Sequence, residues 1–302
     1  MAHQLQDIVL LGKETTRGTI AGTFPLDQPV FALIPTLSNP GGEILSNTGY
    51  PFAADVVPVG VTASLEMTPE VNRDTIRDLI DLVTKRTSGD QPQVSIKHGH
   101  AAGVTGTNPH MQYLGCVARS LRMNFSAGGQ PSGESILQAS VGLECMTFAA
   151  IAGVSAGTKA NARKFQLRHS TITINSVAAT KVLSLEHSID VEHELGRVDA
   201  SNARLFIQDG MESHAINLTG VFDTIAWRDL VTAATEHAVT IVFGTGTANE
   251  TVTATIAKAQ IQSRTLANQN GLLTQQVTIK PYSSSGVAWS YGSSIGASVL
   301  SL

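Results

Sequence analysis

The chain is predicted to be mainly β, built as two tandem β-sandwich or open-barrel domains, each with one flanking short α-helix. Three observations carry that expectation. Runs of alternating apolar residues recur between turns that contain Gly or Asn. Two segments with helical apolar spacing interrupt them. A set of residue matches also repeats at a shift of 151, half of the 302 residues.

The repeat can be read residue by residue. Ser64-Leu65-Glu66-Met67-Thr68 lines up with Ala215-Ile216-Asn217-Leu218-Thr219, and Arg77-Asp78-Leu79-Ile80 with Arg228-Asp229-Leu230-Val231, in one register. Around the second match, Ile76, Leu79, Ile80 and Val83 share one stripe of a helix, as do Trp227, Leu230, Val231 and Ala234. A strand follows each helix, Val94 to Gly99 and Val239 to Gly244, and the first copy carries extra residues in the loop Lys85 to Pro92, where insertion costs little. Hairpins come next: Cys116 to Phe125 returning as Ser135 to Glu144, and Val252 to Thr265 returning as Leu272 to Lys280. The expected boundaries are therefore 1–151 and 152–302.

Ahead of the repeated block, the second half shows strands at Thr171 to Ile174, Lys181 to Val191 and Arg204 to Ile207, with Asp209-Gly210 read as a turn into the strand His214 to Val221. The first half begins with a strand from Asp7 to Leu11. The following stretch, 24–57, carries five prolines and three glycines and is read as a long extended arm. The Ser/Gly-rich tail 283–302 holds Trp289 and Tyr291, aromatics that argue it packs against something.

Composition excludes several classes. With 42% hydrophobic and 15% charged residues the chain is not disordered. Twenty Lys+Arg against 24 Asp+Glu, with no basic cluster, leave no footprint for gripping DNA. No run of roughly 18 apolar residues is present, and the first twenty residues lack the regions of a signal peptide, so the expected site of synthesis is the cytosol. Cys116 and Cys145 are read as two buried thiols rather than a disulfide framework. The acidity is uneven, with 9 basic and 13 acidic residues in 1–151 and 11 of each in 152–302.

Candidate chemistry is sparse, and no catalytic, cofactor-binding or metal residue is assigned. Gly153-Val154-Ser155-Ala156-Gly157 matches G-x-S-x-G, with Asp190, His193 and His214 downstream. A nucleophile elbow needs a helix directly after the serine, and 158–164 has no amphipathic stripe, so the segment reads as the linker between the halves. His98-Gly99-His100 with His110 is the one local histidine cluster, too few ligands for a transition metal and read as a solvated loop. Glu186-His187 and Glu192-His193-Glu194 place charge on the wet face of a strand whose other face carries Ile189 and Val191. Gly244-Thr245-Gly246 precedes a strand rather than a helix and is a hairpin turn. Glu70, Arg73, Asp74, Arg77 and Asp78 form opposite-sign pairs on a helix face read as solvated.

Taken together, the opening Leu11-Gly12-Lys13-Glu14-Thr15-Thr16-Arg17-Gly18-Thr19, the run from Ser184-Leu185-Glu186 through Asp223-Thr224-Ile225-Ala226-Trp227-Arg228-Asp229-Leu230, and the ending Val277-Thr278-Ile279-Lys280-Pro281-Tyr282 resemble the major tail tube proteins of long-tailed, siphovirus-like bacteriophages. The resemblance implies a structural virion protein, not an enzyme and without a cofactor. It implies β-sandwich domains, six to a ring, whose inner strands join into one barrel. With two such domains per chain, trimeric pseudo-hexameric rings would stack head to tail, true hexamers being the alternative. The arm and the tail would bridge rings. The implied partners are further copies of the chain, the tape measure protein and DNA in the lumen, and the tail terminator and distal tail proteins at the ends, with no membrane. A β-rich carbohydrate-binding or adhesive virion module remains an alternative reading, as does a serine hydrolase at Ser155.

Overall fold

An apolar residue at every second position commits one face of each strand to burial, and the chain's strands must find both neighbours and a cover for that face. The computed structural model describes residues 7–16, 18–28, 30–38, 42–44, 55–57, 62–85, 91–100, 110–125, 135–155, 162–179, 181–196, 205–221, 236–269, 271–282, 286–300 and 302. Their first half comprises β1 (Asp7–Lys13), β2 (Leu26–Asp27), β3 (Val30–Ser38), β4 (Gly42–Ile44), β5 (Asp55–Val57), β6 (Thr62–Pro69), α1 (Ile76–Thr84), β7 (Val94–His100), β8 (Met111–Phe125), β9 (Leu137–Cys145) and β10 (Thr147–Ala150). The second comprises β11 (Gln166–Ile174), β12 (Val177–Ala178), β13 (Val182–Gly196), β14 (Leu205–Val221), β15 (His237–Gly244), β16 (Thr251–Gln269), β17 (Leu272–Pro281) and β18 (Val287–Tyr291). The second expected helix, around Trp227 to Ala234, lies outside the described residues.

Sixteen strands form one antiparallel sheet. In the first half the neighbours run β2-β1-β7-β8-β9-β6-β3, with β10 also on β8. In the second they run β12-β11-β15-β16-β17-β14-β13, with β18 also on β16. Position for position the two orders are the same. Their irregularities match as well: the register shifts between Val30 and Ala32 on β3 and between Val182 and Ser184 on β13, then between Ala118 and Ser120 on β8 and between Ile261 and Ser263 on β16. The halves meet where β13 pairs with the distal part of β8, Leu185 opposite Phe125 through Asp190 opposite Ser120.

One hydrophobic core runs through both halves, with Phe125 stacked on Phe243 at 6.0 Å between ring centroids. The predicted helix stripe is buried: Ile76, Leu79, Ile80 and Val83 are at most 2% exposed. Asn72 sets the entry to α1, its Oδ1 accepting from the N–H groups of Asp74 and Thr75.

Five expectations are corrected. The 24–57 stretch is not simply an arm. It contributes β2 and β3 to the sheet, with Pro35 on an edge strand where a missing N–H is tolerated, and β4 pairs with β5 as a separate two-stranded unit. Asp209-Gly210 is no turn, because β14 runs straight through it and the extra residue is absorbed as an irregularity opposite Val191 and His193. Cys116 and Cys145 form a disulfide, since the β8·β9 register that sets Val117 opposite Glu144 brings the next pair face to face. His98 is not in a solvated loop but on β7, 7% exposed, where it pairs across to Val9 and Met111.

The fifth correction concerns the charged side of α1. Asp78 is 1% exposed, because the chain's last residues return to cover it. Ser298 Oγ donates to its carboxylate at 2.6 Å, and the N–H groups of Leu300 and Val299 donate at 3.1 and 3.2 Å. Burial pushes the Asp78 carboxyl above its ordinary range, against the pull of these three donors. One turn on, Tyr291 donates its hydroxyl to Asp81 at 2.8 Å, and the Arg77 guanidinium lies over the Tyr291 ring at 4.9 Å. Trp289 stacks on His187, while Ile295, Leu300 and Leu302 are buried. The tail thus ties a helix of the first half to β16 of the second. Substituting Asp78→Ala strands these donors and is expected to cost about 1–3 kcal/mol, read as a lower melting temperature, and to open residues 292–302 to limited proteolysis. Asp78→Asn, which keeps one acceptor oxygen, is expected to lose less.

Candidate assembly surface

Eight strands form a continuous band in the order β3-β6-β9-β8-β13-β14-β17-β16. Alternation gives the band two unlike faces. Leu65, Met67, Val141, Leu121, Ile189, Ile216 and Val277 point into the core and are at most 2% exposed. Their neighbours along each strand, Ser64, Glu66, Ser140, Arg122, Asp190 and Asn217, form the opposite face, half-buried or exposed. Asn217 Oδ1 accepts from Thr278 Oγ1 at 3.0 Å across β14 and β17. A side chain reaches one face or the other by its parity alone, so the polar face follows from the register.

Both ends of this band are open among the described residues. β3 pairs with β6 alone. β16 is bordered by β15 up to Ala259, and beyond that point its only strand partner is β17, on the other side. Four of the large apolar side chains left exposed belong to these ends: Ile34 (58%) and Leu37 (51%) on β3, Leu266 (49%) on β16, and Leu273 (47%) on β17 beside it. A long strand edge with exposed aliphatic residues is a template for pairing with another chain.

Where β3, β6, β9, β8, β13 and β14 lie side by side, the polar face is hollowed into a groove of ≈ 750 Å³. Its charged lining is Glu66, Asp190 and Glu192 against Arg119 and Arg122. Arg119 is tied to Glu144, Nη1 to Oε1 at 2.5 Å. Five hydroxyls, from Thr36, Ser64, Ser120, Ser140 and Ser213, complete its polar lining.

The residues weighed for catalysis do not converge. Ser155 is exposed in a segment without regular structure. Asp190 sits on the polar groove, and the side chain of His193 lies outside the described residues. His214 is buried on β14, with its two ring nitrogens engaged by His187 at 3.1 Å and by Glu212 at 2.5 Å. Among the described residues no group of three or more His, Cys, Asp or Glu is placed to hold a metal. His110 packs on Gly99, and Gly244-Thr245-Gly246 turns β15 into β16. No helix of the described residues is long and apolar enough to cross a membrane. Sequence reasoning missed the open edges, because an edge is a fact about missing neighbours. Its placement of His187 on the wet face of β13 is corrected: His187 shares parity with Ile189 and Val191 and is buried with them, against His214.

The described residues thus form a two-faced antiparallel band with open ends. The family model described as phage tail tube protein matches residues 6–281, and the chain belongs to that family. It is a structural component of a phage tail, one subunit of a multi-subunit tube. No curated protein matches the chain.

The histidine pair makes the subunit sensitive to acid. Burial, reinforced by the charge of His214, depresses the His187 imidazole from its ordinary value to about 3. Unfolding restores a value near 6.5, so between those limits the unfolded chain takes up a proton that the folded chain refuses. Stability contributed by this group is therefore complete above about pH 6.5 and falls with pH down to about 3, at up to about 1.4 kcal/mol per pH unit. Chemical denaturation of the wild type and of His187→Phe, which keeps a ring against Trp289, checks this: the variant is expected to show a shallower loss of stability between pH 6.5 and 4.

Proposed function

We propose that the chain is the major tail tube subunit, that residues 1–151 and 152–302 are two copies of one tube domain, and that three chains close a pseudo-hexameric ring. The observation that carries this reading is the pair of open edges on a band that already joins two like halves. What β13 is to β8 inside the chain, β3 of one chain is to β16 of the next. Eight strands from each of three chains then close into a barrel, and closure is the one arrangement that leaves a sheet no edge.

The polar face lines the bore and the apolar face stays in the wall. Its excess of carboxylates repels DNA enough to let it slide, so the tube conducts without binding. No step of bond making or breaking is required, and the subunit is not an enzyme. Rings stack head to tail, a heterologous contact that propagates as a filament, with the β4–β5 unit reaching toward the adjoining ring. The tape measure protein and DNA occupy the bore in turn, and terminator and distal tail proteins cap the ends of the tube in the virion.

Negative-stain electron microscopy over a range of concentrations, with mass photometry of the same samples, tests the reading. Hollow tubes, or rings with the mass of three chains, are the expected result. Rings of six chains retain the tube and reject the two-copy ring. A chain that remains monomeric at every concentration, alone and with phage tail-tip complexes as nuclei, is incompatible with the proposal.

A further inference from the structure

Resting on the tube reading, we infer that β3 of one chain pairs antiparallel with β16 of a second copy in a defined register, Thr36 opposite Thr265. The register is transferable because the internal joint has the same strands in the same places. Leu33 faces Met67 across β3·β6 just as Leu185 faces Leu218 across β13·β14, so β3 occupies on β6 the position β13 occupies on β14. Leu121 faces Val141 across β8·β9 just as Arg264 faces Val277 across β16·β17, after the same irregularity in each strand. Within the chain Ser188 lies opposite Arg122. The corresponding residues are Thr36 and Thr265. The same transfer sets Leu37 opposite Arg264 and Pro35 opposite Leu266.

Exposure supports the joint independently of the register. Ile189 on β13 and Met123 on β8 are buried in the internal joint, at 0% and 1% exposed. Leu37 and Leu266, which hold the same two positions on the open edges, are 51% and 49% exposed. The equivalent positions differ in whether a second strand lies beside them. Apolar residues at both positions fit a strand that is covered on assembly, since an edge meant to stay in water carries charge there. Arg264 adds an aliphatic stem to lie along Leu37, while its Nε donates to Gln275 at 3.3 Å. Pro35 has no N–H and can offer the joint only its carbonyl.

The joint also differs in kind from the internal one. Inside the chain, β13 presents Glu186, Ser188 and Asp190 to the polar face of β8, whereas β3 presents Ile34 and Thr36. The chain-to-chain contact is therefore less charged and less dependent on salt than the contact that the covalent chain already holds together.

Disulfide trapping tests this. Directly opposed residues of an antiparallel pair lie within reach of a disulfide, and residues displaced by two do not. Thr36→Cys with Thr265→Cys in one chain, oxidised after assembly, is expected to yield, on a non-reducing gel, species in steps of one 31.8 kDa chain, ending at three chains, all collapsing to one chain on reduction. The displaced pairs Thr36→Cys with Ser263→Cys and Thr36→Cys with Ala267→Cys are expected to cross-link at least tenfold less. Mixing the two single variants, each folded separately, is expected to give only two-chain products and keeps the test intact should the double variant misfold. Tubes that form without cross-linking, or that cross-link equally at the displaced pairs, overturn the register while leaving the tube reading in place. A cross-link formed within one chain overturns the joint. Failure of the wild-type chain to assemble at all overturns both.

Discussion

Each strand of a sheet carries hydrogen-bonding groups on two sides, and everything in this protein depends on how β8 spends its two. Along its first part β8 lies between β7 and β10, and along its second between β9 and β13. That second part is the seam between the halves of the chain. Because β13 is seated there, Met123 and Ile189 are sealed, the polar residues of six strands gather into one groove, and the band gains a direction. A seam made this way uses one edge of each half and, among the described residues, leaves the far side of β3 and of the distal part of β16 without a strand. The open ends are a consequence of the seam, not an addition to it.

The remaining surface is arranged so that those ends stand apart from the rest. The tail from Val287 onward pairs with β16, lays Trp289 on the His187 ring and closes over the carboxylates of Asp78 and Asp81. An acidic helix side that alternation alone would leave in water becomes the anchor for the chain's last residues. Arg73 adds an ion pair to Glu250 in the β15–β16 connection, Nη1 to Oε1 at 2.9 Å. Those contacts join the first half of the chain to the second at points away from the seam.

Much of this was legible beforehand. The stripe of α1 and the strands of both hairpins rest on periodicities of 2 and 3.6 residues, which are local and read directly along the chain. The wet face of β13 was read in part: Glu186 and Glu192 lie on it, alternating with Ile189 and Val191, while His187, assigned to the same face, is buried. The errors share a different cause. Asp209-Gly210 has the composition of a turn, but β14 had a partner long enough to carry it through as an irregular pair. Pro35 marked a stretch as unsuited to a sheet, and an edge strand accepted it. Cys116 and Cys145 lie 29 residues apart, and only the register of two strands set them opposite one another. Asp78 looked solvated until a segment 220 residues away closed over it.

By itself, then, the sequence determined α1 and most of the strands, which parity of those strands is apolar, and a set of residue matches between the two halves. Those properties are set by side-chain chemistry acting over a few residues. The tertiary structure decided which strand lies beside which, and with it the seam at β8, the two open edges, the polar groove and the covering of Asp78. Neighbours in a sheet are chosen by the free energy of the whole arrangement, in which edges, cover and loop closure compete over the full length of the chain, and no window of local sequence contains that competition.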